Sequence, residues 1–223
     1  MNRFVSFLAA ALLITAHHAA AATLSTITMP VAGSDLVTWN TWKGQSFSLA
    51  ATTSPSAVVS VTLRLEVIVP NVNFVVRVVG SAGTPGRPDI SDVRAELRPV
   101  GLPPGTAVVP LTFTADPVFT FPPLEADATY WLVAGMTGAD YDQALPAGLV
   151  RWHYASTHGQ DPGAQSGWTV GNSVASSDTA GGDWMPAIET PFLFEMTAVP
   201  VPEPAITAML LAPALVLFRR RRS

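Results

Sequence analysis

VSVTLRLEV, residues 59–67, alternates apolar and polar side chains without a break. Successive side chains of an extended strand point to opposite faces. Val59, Val61, Leu63, Leu65 and Val67 therefore share one face, and Ser60, Thr62, Arg64 and Glu66 share the other. This is the pattern of a half-buried antiparallel strand. It returns in Val72, Phe74, Val76 and Val78 around Asn73 and Arg77. Leu111 with Phe113, Phe119 with Phe121, TYWLVAG (129–135), LVRWHYA (149–155) and PFLFEMTAV (191–199) extend the series. Ser91 to Arg98 reads as a strand rather than a helical turn. Proline and glycine clusters such as SAGTPGRPD (81–89), GLPPG (101–105) and ALPAG (144–148) separate the runs. About nine to eleven short strands result, with no helix-strand alternation to demand a parallel sheet. The expected fold is all-β, an antiparallel β-sandwich of jelly-roll-like form over residues 23–198.

Composition fits such a body. Of 223 residues, 48% are apolar and 13% charged, against the roughly 25% charge of an average soluble domain. A highly charged disordered chain is thereby excluded. Between Thr23 and Pro202 seven basic residues face fifteen acidic ones, a net charge of −8. Such a body repels phosphate backbones, so no nucleic-acid partner is expected. The chain has no cysteine, which rules out disulfides, thiolate catalysis, cysteine-held zinc and a cysteine-acylated leader.

Both ends read as addresses. Residues 1–22, MNRFVSFLAAALLITAHHAAAA, place Arg3 before an apolar stretch from Phe4 to Ala16. Ala20 and Ala22 then form the small-residue cleavage pattern of a secretory signal peptide, so the mature chain is expected to start at Thr23. Residues 199–223 form a tail. Val201-Pro202-Glu203-Pro204 leads into an apolar run, Ala205 to Phe218, closed by Arg219, Arg220, Arg221 and Arg222. As a helix, those 14 residues would rise about 21 Å against a hydrocarbon core of about 30 Å. A short C-terminal transmembrane helix is expected, weakened by Pro213, with the arginines cytoplasmic and the body outside.

The order V-P-E-P, apolar segment, basic cluster closely resembles the PEP-CTERM sorting signal of Gram-negative envelope proteins. In that family a membrane enzyme, exosortase, recognises the tail and is thought to process it near Pro-Glu-Pro. The resemblance implies Sec export, an exosortase-type partner, transient anchoring in the inner membrane, and a final place in the envelope or outside the cell.

The body carries a second resemblance. Trp42 followed by Gly44-Gln45-Ser46-Phe47 looks like the W-x-A-Q-S-F opening of the choice-of-anchor R domain, with Gly44 where that family has alanine. Ser60 to Leu65, Leu124 to Val133, Gly167 to Gly171, Asp183-Trp184 and Pro191 to Glu195 are similar to its later motifs. Members share one exported β-domain joined to different surface anchors, and the group implies no catalytic residues.

A direct search for chemistry yields little. His153, His158 and Asp161 could form a metal set, but the spacing is loose, and a solvated strand histidine beside a loop histidine explains it as well. Asp140 and Asp142 suggest at most a structural calcium, since the glycine and closing glutamate of a calcium loop are missing. No other cofactor and no resident metal are expected. Glu66, Glu96, Glu125, Glu189 and Glu195 offer carboxylates, and nothing selects the pair that glycoside hydrolysis needs. No G-x-S-x-G elbow is present. Trp131, Trp152, Trp168 and Trp184 are candidates for stacking on sugar rings, with core filling as the alternative. The chain is expected to be a non-enzymatic structural or adhesive component of biofilm or exopolysaccharide. A carbohydrate-binding module is the second expectation, and a glycoside hydrolase the third.

Overall fold

The computed structural model describes residues 21–69, 73–83, 86–99, 102, 105–115, 117–137, 149–162, 167–187 and 190–201. They form twelve strands and no helix: β1 (Ala22–Ser25), β2 (Val31–Val37), β3 (Trp42–Leu49), β4 (Ser56–Val69), β5 (Phe74–Ala82), β6 (Arg87–Arg98), β7 (Gly105–Ala115), β8 (Ala128–Met136), β9 (Leu149–Ala155), β10 (Trp168–Ser177), β11 (Met185–Pro186) and β12 (Phe194–Pro200). Every pairing is antiparallel. The sheet runs β1-β12-β4-β7-β6-β5-β8-β3-β10-β11, and β9 joins β4 to β2. A narrow seam lies between β6 and β7, where Leu97 meets Ala115 and Arg98 meets Thr114.

The long β4 organises the core. Val61, Leu63, Leu65 and Val67 are all buried, as their alternation predicts. They share one apolar cluster with Leu24, Phe47, Phe74, Phe113, Trp152 and Phe194, from six other strands. Strands on opposite sides of the seam meet in that cluster, where the rings of Phe74 on β5 and Phe113 on β7 lie 5.6 Å apart. β1 and β10, distant along the sheet, also touch. A flat sheet could not do this, so the sheet curls around its own apolar face. Each fully buried leucine or phenylalanine there contributes about 1.5–3 kcal/mol of transfer free energy.

Two local expectations fail. Val59 does not join the buried face; it is 39% exposed, and Val58 is buried instead. Thr197 pairs with Ser60 while Ala198 pairs with Val58, so Val59 is the extra residue of a β-bulge. A bulge shifts the alternation by one and re-aims the side chains before it. Phe119 and Phe121 form no strand but lie in an irregular segment after β7. The strand at Ser91–Arg98 is present as part of β6.

β5 and β8 go beyond the simple pattern. Phe74, Val75, Val76, Val78 and Val79 are all buried, as are Tyr130 to Val133. These strands are covered on both faces. Tyr130 belongs to the main core and Trp131 to a second apolar cluster with Trp42, Val75, Val79, Val133 and Trp184.

Candidate functional site

Each expected site residue has a clear position or lies outside the described residues. Ala20, Pro202, Glu203, Pro204, the apolar run 205–218 and Arg219 to Arg222 lie outside, as do Asp140, Asp142 and Glu189. Ala22 opens β1, buried and paired with Ala198 of β12. Val201 follows β12 directly, and its backbone N–H donates to the Pro55 carbonyl at 2.8 Å. Both ends of the described body are therefore fastened to one edge of the sheet. Among the described residues no helix is long and apolar enough to cross a membrane.

The four tryptophans expected to stack on sugars are all buried. Trp152 lies against Phe192, ring centroids 4.3 Å apart, and its indole N–H donates to the Leu193 carbonyl at 3.0 Å. Trp168 stacks on Phe47 at 6.2 Å. Trp131 and Trp184 belong to the second cluster. A sugar ring stacks on an indole face open to water, and none of these four is open, so the stacking expectation is corrected. The exposed indole is Trp39, at 40%.

The second cluster was the feature least visible in the sequence. Trp42 and Trp184 come from opposite parts of the chain and lie with Trp131 over Val75, Val79 and Val133. The Arg77 guanidinium sits 5.6 Å from the Trp42 ring centroid, and the Trp42 indole donates to the Trp39 carbonyl at 3.2 Å. Gly135 makes the close approach possible: a Cβ there would come within 2.2 Å of the Trp42 indole. The unbroken apolar runs FVV and YWLVA were the available signal, because a strand buried on both faces loses its alternation.

The histidines and aspartates do not converge. His158 is exposed, whereas Asp161 is buried. One Asp161 carboxylate oxygen accepts from the Ser25 hydroxyl at 2.5 Å and the Thr28 N–H at 3.0 Å, and the other accepts from the Thr28 hydroxyl at 2.6 Å. Asp161 thus clamps its loop onto the chain after β1. His153 was expected to be solvated on an outward face, but it is only 7% exposed. Neither of its ring nitrogens has a hydrogen-bond partner among the described residues. Burial lowers its pKa below the ordinary histidine value; nearby Glu66 opposes this, and Arg64 and Arg151 add to it. Among the described residues no three histidines or carboxylates gather as a metal site.

Two of the candidate carboxylates, Glu96 and Glu66, are held in ion pairs. Arg77 and Arg98 both hold Glu96, at 2.9 and 2.8 Å, and Arg151 reaches Glu66 at 3.4 Å. Gln45, in the stretch that follows Trp42, closes a buried polar junction. Its amide donates to the Gly171 carbonyl at 2.8 Å, and its side-chain oxygen accepts from the Phe192 N–H at 3.1 Å. This junction satisfies backbone groups where the β3–β10 register breaks between Val170 and Val174.

In comparison with known proteins, no family model matches the chain, and no curated protein matches it.

Proposed function

We propose that this chain is an exported envelope protein, delivered by an N-terminal secretory signal and sorted by a PEP-CTERM-like tail that an exosortase-type enzyme recognises. One observation carries this reading. Among the described residues the strands run from Ala22 to Pro200, so the leader overlaps the sheet only at Ala22 and the tail only at Val199 and Pro200, and the rest of both signals lies beyond the strands. Val201, the first residue of the V-P-E-P motif, is still bonded to Pro55, so the motif begins where the body ends. The tail's chemistry suits a temporary stop. Four arginines resist translocation. Residues that precede proline favour extended backbone, which presents Pro202-Glu203-Pro204 to an enzyme at the membrane surface.

For the body we propose a jelly-roll-like β-sandwich that acts as a non-enzymatic structural or adhesive unit of the extracellular matrix. The curled sheet and its single main core support the sandwich. A carbohydrate-binding role is the second reading; with four indoles buried, it rests on the exposed Trp39.

The test is mass spectrometry of the mature C-terminus in a host that carries an exosortase. Wild type should end near Pro202-Glu203-Pro204, and a variant with alanine at those three positions should keep Ser223. A chain ending at Ser223 in both would make the tail a plain anchor and overturn the sorting proposal.

A further inference from the structure

The end of the sheet from which the tail departs carries an unusual surface. Ser56, the first residue of β4, has Pro200 of β12 on one side and Leu124 on the other. Leu124 is held by two backbone hydrogen bonds to Ser56, at 2.8 and 3.0 Å. Neighbouring strands lie about 4.8 Å apart, so the tail's exit and Leu124 are separated by about 10 Å. The segment leading into Leu124 is PVFTFPP, residues 117–123, with no charged side chain. Val118 is 81% exposed and Phe119 57% exposed. Phe119 leans on Phe121, ring centroids 6.1 Å apart, rather than on the core. Val59, Val199 and Val201, also exposed, belong to the same end of β4 and β12.

We propose that this end is a membrane-contacting face, with Val118 and Phe119 seated in the interfacial layer of a lipid bilayer. The inference rests on the proposal above that Ala205 to Phe218 sits in the membrane. The occupant follows from the length of the tether. Only Pro202, Glu203 and Pro204 separate Val201 from the apolar run. Three residues span at most about 10 Å even when fully extended. Val201 is itself bonded to Pro55, so the body cannot swing far from that point. A membrane-held run therefore brings this end of the sheet to the bilayer surface, where exposed apolar and aromatic side chains are favoured. The contact also serves the anchor, since a short apolar run holds weakly and a second membrane element strengthens it.

The chain has no cysteine, so single cysteines report position without background. Val118→Cys, Phe119→Cys, Leu211→Cys and Val108→Cys would each be made in the full chain, labelled with an environment-sensitive fluorophore, and reconstituted into phosphatidylethanolamine–phosphatidylglycerol vesicles. The first two positions are exposed and leave the core intact. Val108 is 40% exposed and pairs with Glu66, ten residues along β4 from Ser56, about 33 Å at strand rise. The expected result is a blue shift, with quenching by nitroxide-bearing lipid, at 118, 119 and 211 and an aqueous spectrum at 108. Labels at 118 and 119 that stay aqueous while 211 is shifted would overturn this inference and leave the proposed function standing. An aqueous label at 211 would overturn both. A shift at 119 without vesicles would show that a second copy of the chain covers the face, and would also overturn the inference.

Discussion

The two apolar clusters of this protein are built in different ways. The main core is made by strands facing strands: alternation along β4 supplies Val61, Leu63, Leu65 and Val67, and the curl of the sheet supplies their partners. The second cluster is made by side chains that cover a sheet face, with Trp42 and Trp184 meeting Trp131 above β5 and β8. The first is specified by a local period. The second depends on residues more than a hundred positions apart and on glycines that let indoles approach. The difference teaches that apolar periodicity locates a core, while an apolar run without periodicity marks a strand that something else must cover.

The largest effect should come from emptying the main core. Trp152→Ala removes an indole stacked at 4.3 Å and a buried hydrogen bond, and should cost about 3–5 kcal/mol in chemical denaturation. Trp42→Ala should cost less, about 2–3 kcal/mol, because a covering layer can collapse over the gap more easily than an enclosed core. Equal losses would mean that the two clusters unfold as one unit of equal packing. Next comes Gly135→Ala, which drives a Cβ into the Trp42 indole and should cost about 1–3 kcal/mol. Pairing it with Trp42→Ala should recover most of that loss in a double-mutant cycle, and additive losses would break the assignment of Gly135 to the tryptophan layer.

Much of the main core was legible. The buried face of β4 follows from its alternation, and the strand expected over Ser91–Arg98 is present as part of β6. Val59 departs from the alternation because a bulge in β4, set by its register with β12, cannot be seen from one strand's sequence. Phe119 and Phe121 mimic a strand pair, but the prolines on either side leave that segment without ladder partners. The burial of Trp131 on the face opposite Tyr130 was readable in outline, since adjacent strand residues point apart. The partners that cover it were not, because they arrive from β3 and from the loop before β11.

His153 offers a smaller effect, seen through pH. Its pKa is lowered by burial, so the folded protein holds it neutral where the unfolded chain would bind a proton. Stability is therefore full above the unfolded value near 6.5 and falls as pH drops through that value toward the lowered folded one. Glu66 opposes the shift, and Arg64 and Arg151 reinforce it. His153→Gln should flatten the loss of stability between pH 7 and pH 5 relative to wild type. An unchanged slope would remove His153 from the acid response.

The smallest effect is expected at Gly44, beneath Trp131. A Cβ there would lie 3.4 Å from both Pro88 and Trp131, an ordinary contact. Gly44→Ala should be neutral or stabilising by about 0.5–1 kcal/mol, since glycine within a strand carries excess unfolded-state freedom. A clear destabilisation would show that the layer over β3 is tighter than these distances imply.

The central claim is that the β-domain acts outside the cytoplasm. Its most direct test is labelling of the full-length Val108→Cys chain in a Gram-negative host carrying an exosortase, using a membrane-impermeant charged maleimide on whole culture and on spheroplasts before any lysis. Export predicts labelling at position 108, in the membrane-bound form, the released form or both. Labelling that appears only after lysis, on a chain that still begins at Met1, would contradict it.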